Sequence, residues 1–216
     1  MNLSDYVPVE SCQIPGLETI YELVFGLKTD GVFVEVGAFD GKTYSNTYQL
    51  AKLGWKGLYI EPVDHLFQQC CKNHANHPNV DVVHVFASDV DDEYVQVYKW
   101  GDNTFTGNKD FIHNVAHDQV ERLCVATTKT LSALLDAYDI SNIDLMVIDV
   151  EGHELQVLNG LLWPWHYAKM MIVEVHELSD NPGLRMHSDE INAKMLDLGY
   201  EKIYADAINS IFVRRE

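Results

Sequence analysis

Short apolar runs alternate along the chain with segments in which apolar residues recur every three or four positions. The runs are typical of strands buried on both faces of a parallel sheet. The spacing of the apolar residues in 17–28 is typical of an amphipathic helix that covers such a sheet. The pattern predicts strands at 32–36, 58–60, 80–87, 143–148, 170–175, 200–205 and 209–214, and helices at 17–28, 45–53, 63–74 and 151–161, with further helices after Thr130 and before Gly199.

Strands that alternate with helices predict an α/β fold with a parallel sheet and helices on both faces. The last two strands are close enough in sequence to form an antiparallel hairpin. The alternation of strands and helices is interrupted after the third strand. Residues 94–100 and 123–127 are predicted to be additional strands, and 101–118 is polar and irregular. We therefore expect one domain over 1–216, with a substrate-loop insertion at about 101–122.

Composition and charge narrow the class of protein. The 216 residues are 47% hydrophobic, which predicts a sizeable core, and the net charge of -18 disfavours a nucleic acid partner. Cys12, Cys70, Cys71 and Cys124 have neither zinc nor C-x-x-C spacing, which favours free thiols in a reducing compartment. Neither a signal peptide nor a membrane-spanning run is recognisable. We expect a soluble, cytoplasmic protein, with a homodimer left open.

The stretch VFVEVGAFDGKTYS, at 32–45, has the strand, glycine turn and helix cap of a nucleotide-cofactor loop. Its spacing Glu35-x-Gly37-x-x-x-Gly41 is not the G-x-G-x-x-G of dinucleotide binders. The carboxylates of Glu35 and Asp40 would repel a pyrophosphate but suit an ammonium or sulfonium, and S-adenosylmethionine (SAM) carries both. The alternative is a structural turn with solvated acids.

Five predicted strands carry an acid at or near their carboxyl end, where open α/β sheets bind ligands. They are Glu35, Glu61, Asp89, Asp149 and Glu174. Glu61 lies 20 residues after Gly41, the position of an acid that accepts both hydroxyls of an adenosine ribose. Ser88 and Asp89 are candidates for the adenine, although Ser-Asp is also ordinary turn chemistry.

The stretch DVEGHE, at 149–154, supplies the candidate catalytic groups. His153 is the predicted general base, because its ordinary pKa of about 6.5 suits proton removal near neutrality, and Glu151 is an adjacent acid. Asp149, Glu174 and His176 are predicted either to hold a divalent metal, Mg²⁺ or Mn²⁺, or to form a buried acid–histidine hydrogen-bond network. Both interpretations remain open at this point. His113 and His117 are more consistent with solvated side chains than with metal ligands.

These residues resemble the FkbM family of SAM-dependent methyltransferases. The resemblance lies in VFVEVGAFDGKTYS, GLYIEP, HVFASD, IDLMVIDVEGHELQVLNGL and MMIVEVHE, which span about residues 32–177. It implies a Rossmann-like seven-stranded sheet with an antiparallel last strand. It also implies a cofactor site in which Glu61 takes the ribose, Ser88 and Asp89 take the adenine, and Asp149 lies at the methyl-transfer end. The implied surroundings of the methionine part are Glu35, Gly37, Asp40, Gly41 and Ser45, and the neighbouring Ala38 and Pro62 complete the predicted cofactor set.

The resemblance further implies O-methylation, often of sugar hydroxyls. The sequence thus predicts a SAM-dependent O-methyltransferase that acts on a hydroxyl of a small molecule or glycan, with His153, Asp149, Glu151 and His176 as catalytic residues. The alternative enzyme class is a nicotinamide-dependent dehydrogenase, but this sequence lacks the pyrophosphate-binding loop that such an enzyme requires. A SAM-binding or glycan-binding module without turnover is the non-enzymatic alternative.

Overall fold

The computed structural model describes residues 1–109, 112, 120–163, 165–180, 185 and 187–215. After a 3₁₀ helix at Leu3–Asp5, the helices are α1 (Leu17–Phe25), α2 (Tyr48–Leu53), α3 (Asp64–His74), α4 (Leu131–Ala137), α5 (Glu154–Asn159) and α6 (Ser188–Asp197). The strands are β1 (Val32–Val36), β2 (Lys56–Ile60), β3 (Val80–Val83), β4 (Phe86–Ser88), β5 (Tyr94–Trp100), β6 (Thr104–Thr106), β7 (Val120–Thr130), β8 (Ile143–Ile148), β9 (Ala168–Glu174), β10 (Tyr200–Ala205) and β11 (Asn209–Arg214).

A seven-stranded sheet in the order β10-β11-β9-β8-β1-β2-β3 forms the centre of the molecule. The pairs from β9 through β8, β1 and β2 to β3 are all parallel. The last strand, β11, is antiparallel to both β9 and β10. The predicted α/β fold with a mostly parallel seven-stranded sheet and an antiparallel last strand is therefore confirmed.

Both faces of this sheet are buried, which explains the uninterrupted apolar runs. Along β1, Val34 and Val36 point into one hydrophobic cluster and Phe33 points into the other. The same period of two recurs along β8. The consequence for the site is that the carboxyl ends of β1, β2, β8 and β9 are fixed side by side at one edge of the sheet.

A second, four-stranded sheet has the order β4-β7-β5-β6. It corrects the expectation of a single strand over 80–87, because β3 pairs with β2 in the large sheet while β4 pairs with the end of β7. Apolar residues mark strands of both sheets alike, so only the pairing partners show where one strand ends.

The expected insertion is largely this second sheet. Strand β7 is longer than the predicted 123–127, and β5 and β6 form an antiparallel hairpin where 101–118 was expected to be irregular. His113 and His117, and most of the rest of 110–119, lie outside the described residues. No helix in the described ranges is long and apolar enough to cross a membrane.

Candidate functional site

A cavity of about 310 Å³ opens at the carboxyl ends of β1, β2 and β8. Its position is the one at which parallel α/β sheets bind ligands, and its volume is within the usual range for small-molecule sites. Its charged lining is entirely acidic among the described residues, with Glu35, Glu61, Asp149 and Glu151 and no Lys or Arg. Uncharged residues complete the wall, among them Gln13, Thr43, Ser45, Asn46 and Asn103 on the polar side and Phe39, Tyr44, Pro62, Phe86 and Phe105 on the apolar side.

Seven of the predicted cofactor residues line this cavity: Glu35, Gly37, Ala38, Ser45, Glu61, Pro62 and Asp149. Asp40, Gly41, Ser88 and Asp89 do not belong to the lining. The predicted catalytic residues divide in the same way, because Asp149 and Glu151 line the cavity and His153 and His176 do not.

Glu35 is buried at the end of β1, where residues just before α2 donate hydrogen bonds to its carboxylate. Ser45 Oγ donates to it at 2.8 Å and the Asn46 N–H at 3.4 Å, and the Thr47 hydroxyl donates as well. Burial raises the pKa of Glu35 to about 7 against these hydrogen bonds, and nearby Asp149 adds to the rise. Ser45 Oγ also accepts the Tyr48 N–H at 3.0 Å, so that α2 begins at Tyr48 rather than at the predicted residue 45.

The glycine turn brings β1 and β8 into close contact. Gly37 has φ +82°, and a Cβ at this position would overlap the carbonyl oxygen of Asp149. The Asp149 N–H donates to Val36 O at 3.0 Å. Only glycine allows this approach, so Gly37 positions Asp149 beside Glu35.

Asp40 and Gly41 stabilise the loop that follows β1 on the side away from the cavity. Asp40 accepts hydrogen bonds from the backbone N–H groups of Lys42 and Thr43 and from the Thr43 hydroxyl. Gly41 packs so closely on Cys70 and His74 that a Cβ would overlap both, and its carbonyl oxygen lies 2.7 Å from His74 Nε2. Both residues therefore support the loop in this structure, while their predicted contact with the cofactor stays a prediction.

Glu61 follows β2 and is 4% exposed. Its two carboxylate oxygens accept the N–H groups of Phe39 and Val63, each at 2.9 Å. Burial raises its pKa to about 8, although both hydrogen bonds oppose the rise. Each oxygen retains a lone pair, so the carboxylate can accept two further hydrogen bonds from the cavity side.

Ser88, Asp89 and His153 form a separate group at the end of β4. His153 Nε2 lies 3.1 Å from Ser88 Oγ, which in turn lies 3.2 Å from Asp89 Oδ1. The imidazole ring packs edge-on against Phe86, with ring centroids 5.0 Å apart, and burial lowers its pKa to about 4. The structure thus joins His153 to Ser88 rather than to the cavity, which gives no support to its predicted role as general base.

Three carboxylates converge where β8 and β9 end. One oxygen each from Asp149, Glu151 and Glu174 lies within 4.8 Å of the others. This is not the expected ligand set, because His176 Nε2 instead lies 2.7 Å from Glu174 Oε1 and its Nδ1 lies 3.2 Å from Ala207 O. Burial raises the pKa of all three carboxyl groups, and their mutual repulsion adds to the rise for Glu151 and Glu174.

The hydrogen bonds of His176 fix its proton. A carbonyl oxygen only accepts, so Nδ1 carries the hydrogen that points to Ala207. The Nε2–Glu174 contact then needs one more proton, held by the imidazole or by the carboxyl group. Asp149 and Glu174 also share a side-chain hydrogen bond. The predicted acid–histidine network is therefore present, and its centre is Glu174.

Glu154 was not predicted as a site residue but holds the DVEGHE turn in place. Its Oε1 accepts the N–H groups of Val150 at 3.1 Å and Gly152 at 3.0 Å, and burial raises its pKa to about 7. Glu151 and Gly152 both have positive φ in this turn, so α5 begins at Glu154 and not at the predicted residue 151. The turn aims Glu151 at the cavity.

The sequence interpretation missed the cover of the cavity. Gln13 comes from the N-terminal segment, and its Oε1 accepts from Asn209 Nδ2 at 3.1 Å. Tyr44 joins that segment to the β5–β6 hairpin, because its N–H donates to Ser11 Oγ at 2.8 Å and its hydroxyl accepts from Asn103 Nδ2 at 3.4 Å. No local pattern marks these residues, since segments distant in sequence bring them together.

The model of the methyltransferase FkbM domain family matches residues 35–202. No curated protein matches the chain. Among solved structures, precorrin-6y C5,15-methyltransferase from Geobacter metallireducens aligns with a TM-score of 0.52 and 10% identity, over 99% of this chain and 95% of that one. An rRNA methylase from Streptococcus thermophilus aligns with a TM-score of 0.51 and 9% identity, over 94% of this chain and 99% of that one. At this identity the two structures show the fold alone.

Together with the family match, the strand order and the cavity at the carboxyl ends of β1, β2 and β8 identify a class I SAM-dependent methyltransferase. The residues present fit the cofactor, since an all-acidic charged lining suits a sulfonium and an ammonium, and Glu61 has free acceptor capacity for ribose hydroxyls. Because the family model covers most of the chain, the protein belongs to the FkbM methyltransferase family.

Proposed function

We propose that this methyltransferase transfers the methyl group to a hydroxyl oxygen of a carbohydrate acceptor. The observation that carries the proposal is the convergence of Asp149, Glu151 and Glu174 at the end of the cavity. An alcohol is a weak nucleophile near neutral pH and needs a base or a metal ion. A buried carboxyl group with a raised pKa is, in its ionised form, a stronger base toward the hydroxyl proton than an exposed carboxylate.

The residues of the cavity wall have distinct roles in this proposal. Glu35 and Asp149 balance the positive charge of the cofactor, and Glu61 accepts its ribose hydroxyls. When bound, SAM supplies the electrophilic methyl group. Glu151, which projects from the DVEGHE turn into the lining, orients the acceptor hydroxyl and takes its proton, and Glu174, which accepts the Glu151 N–H and contacts His176, holds that turn in place.

The three carboxylates also offer the oxygen ligands that Mg²⁺ or Mn²⁺ prefers. In that version Asp149, Glu151 and Glu174 would hold the ion, and His176 would orient Glu174 through their 2.7 Å contact. The cation would relieve the repulsion among the acids and lower the pKa of the acceptor hydroxyl. The carboxylate-base version and the metal version use the same residues and differ in their response to chelation.

The acceptor class rests on the FkbM family resemblance and on charge. A net charge of -18 disfavours nucleic acids, so a neutral sugar in a small molecule or glycan is the proposed partner, met in the cytoplasm. The nicotinamide-dependent dehydrogenase is disfavoured because a pyrophosphate would face Glu35 and Asp149. A binding module without turnover would retain the cofactor site but form no product.

Mass spectrometry of a glycan panel, after incubation with the protein and SAM, tests the proposal. We expect one acceptor to gain a methyl group on oxygen, and Glu151→Gln to abolish the product while it binds S-adenosylhomocysteine (SAH) like the wild type. Asp91→Asn, an exposed acid outside the cavity, is the matched control. Methylation on nitrogen or carbon, or undiminished turnover by Glu151→Gln, contradicts the proposal.

Chelation then separates the two versions. If a metal ion takes part, EDTA abolishes turnover and added Mg²⁺ or Mn²⁺ restores it, while the affinity for SAM is unchanged. Full activity of a metal-stripped sample rules out the metal and retains the carboxylate base.

A further inference from the structure

The cavity has two chemically different ends. Toward β8 its wall carries Glu35 and Asp149, while beyond β2 it is formed by Pro62, Phe86 and Phe105. SAM has the same division, with an ammonium and a sulfonium at one end and an uncharged aromatic base at the other. The position of Glu61 between the two ends matches a ribose in the middle.

Phe105 reaches this wall from the inserted β5–β6 hairpin. Its ring is half-buried and packs against a cluster that contains Val63, Leu66 and Phe86. The hairpin is seated firmly, because a Cβ on Gly107 would overlap the Phe86 ring and Asn108 Nδ2 donates to Gly152 O. The ring is therefore held at the cavity wall by its own hairpin, and Lys99 Nζ lies over it, 6.0 Å from the ring centroid.

A second aromatic ring connects Phe105 to the ribose position. The centroid of the Phe39 ring lies 6.1 Å from that of Phe105, and the Phe39 N–H donates to Glu61 at 2.9 Å. A ligand whose ribose meets Glu61 thus has its base within reach of Phe105. The polar pair expected to hold the adenine, Ser88 and Asp89, lies outside the lining, where Ser88 contacts His153.

We infer that Phe105 is the stacking surface for the adenine ring of SAM, so that the inserted hairpin is part of the cofactor site and not only of the acceptor site. The inference rests on the cofactor roles proposed for Glu61 and Glu35. Stacking of a base on an aromatic side chain is sequence-tolerant and strong, and its removal commonly costs binding a factor of about 5 to 150.

Calorimetric titration with two ligands tests the inference. SAH contains the base and the amino-acid chain, whereas 5′-methylthioadenosine contains the base and lacks that chain. We expect Phe105→Ala to weaken the binding of both ligands by the same factor, about 5- to 150-fold. Glu35→Gln should weaken SAH much more than 5′-methylthioadenosine. The control is Tyr94→Ala. Tyr94 lies on the same hairpin and is 82% exposed, so the loss of its ring should leave both affinities unchanged.

If circular dichroism shows that Phe105→Ala is unfolded, Phe105→Leu replaces it in the test, because leucine retains an apolar side chain in the cluster. Wild-type affinity for SAH in a folded Phe105 variant overturns the inference. A loss for SAH with unchanged affinity for 5′-methylthioadenosine also overturns it, because the ring would then act at the amino-acid end. If the wild type binds neither ligand, the cofactor assignment itself is wrong, an outcome distinct from the failure of Phe105 alone.

Discussion

Backbone strain is concentrated at the residues of the site. Seven non-glycine residues in the described ranges have positive φ, and four of them lie at or beside the cavity: Phe39, Tyr44, Glu151 and His176. Each such conformation costs on the order of 1–3 kcal/mol and persists only where surrounding contacts enforce it. Here the contacts are with Glu61, Ser11 and Glu174. The strained residues are the ones that shape the wall and the acidic end.

Glu61 provides the first residue-scale prediction. Glu61→Ala should weaken SAM binding by about 1–3 kcal/mol, since hydrogen-bonding groups of the ligand and of Phe39 and Val63 lose their acceptor. Titration calorimetry measures the change. Asp64→Ala, an exposed acid three residues later, is the control and should bind SAM like the wild type. Unchanged affinity in a folded Glu61→Ala variant would remove the ribose role.

The buried acids also predict the pH dependence of stability. Burial raises the pKa of Glu61 to about 8 and those of Glu35 and Glu154 to about 7, from an ordinary 4.5. At a pH between the ordinary and the raised pKa of each acid, the folded protein holds a proton that the unfolded chain has released. The free energy of unfolding therefore falls as the pH rises. His74 and His153, with a pKa lowered to about 4, act oppositely, but only below their ordinary 6.5.

We therefore expect the ligand-free protein to lose stability from about pH 6.5 to about pH 8, by up to ~1.4 kcal/mol per pH unit for each titrating acid. Urea unfolding across this interval measures the slope. Glu61→Gln should flatten it, because an amide does not ionise. A flat wild-type profile would show that these acids are ionised in the folded protein.

At the scale of elements, Gly37 and Gly54 form a matched pair. Both have positive φ, at 82° and 94°, but a Cβ at Gly37 would overlap Asp149 O while Gly54 has open space around it. Gly54→Ala should cost about 1–2 kcal/mol of unfolding free energy, the strain of a left-handed alanine. Gly37→Ala should cost more and abolish SAH binding, since β1 and β8 must separate. Denaturant unfolding and calorimetry measure both, and equal costs for the two variants would contradict the close-approach argument.

Elements were predictable from sequence where one local signal decides. The bounds of β1, β8, β10 and β11 agree with the predicted strands, and Thr130 caps α4 as its position suggested, accepting the Ala133 N–H at 3.3 Å. The signal failed where tertiary pairing decides. Nothing in 80–87 shows that the chain changes sheets after β3, and nothing in 120–130 shows that β7 extends to pair with both β4 and β5.

The whole molecule explains which acidic strand ends converge. Glu35, Asp149 and Glu174 end β1, β8 and β9, which are neighbours in the large sheet, and Glu61 follows the adjacent β2. Asp89 follows β4, which belongs to the other sheet, and it lies outside the cavity lining. The sequence therefore identified the acids, but only the strand order shows which four lie at adjacent strand ends. The covering residues Gln13, Asn103 and Phe105 depend on the same long-range arrangement.

Charge at this scale gives the last prediction. SAM and NAD both contain adenosine, and they differ in that one carries a sulfonium and an ammonium and the other a pyrophosphate. In a cavity whose only charged lining, among the described residues, is Glu35, Glu61, Asp149 and Glu151, that difference decides binding. Thermal unfolding should show a higher Tm with SAM and no change with NAD. A ligand present at a hundredfold excess over its Kd adds about 2.7 kcal/mol to the free energy of unfolding. Glu35→Gln should reduce the SAM shift, whereas equal shifts with SAM and NAD in the wild type would show that the acidic lining does not select the cofactor.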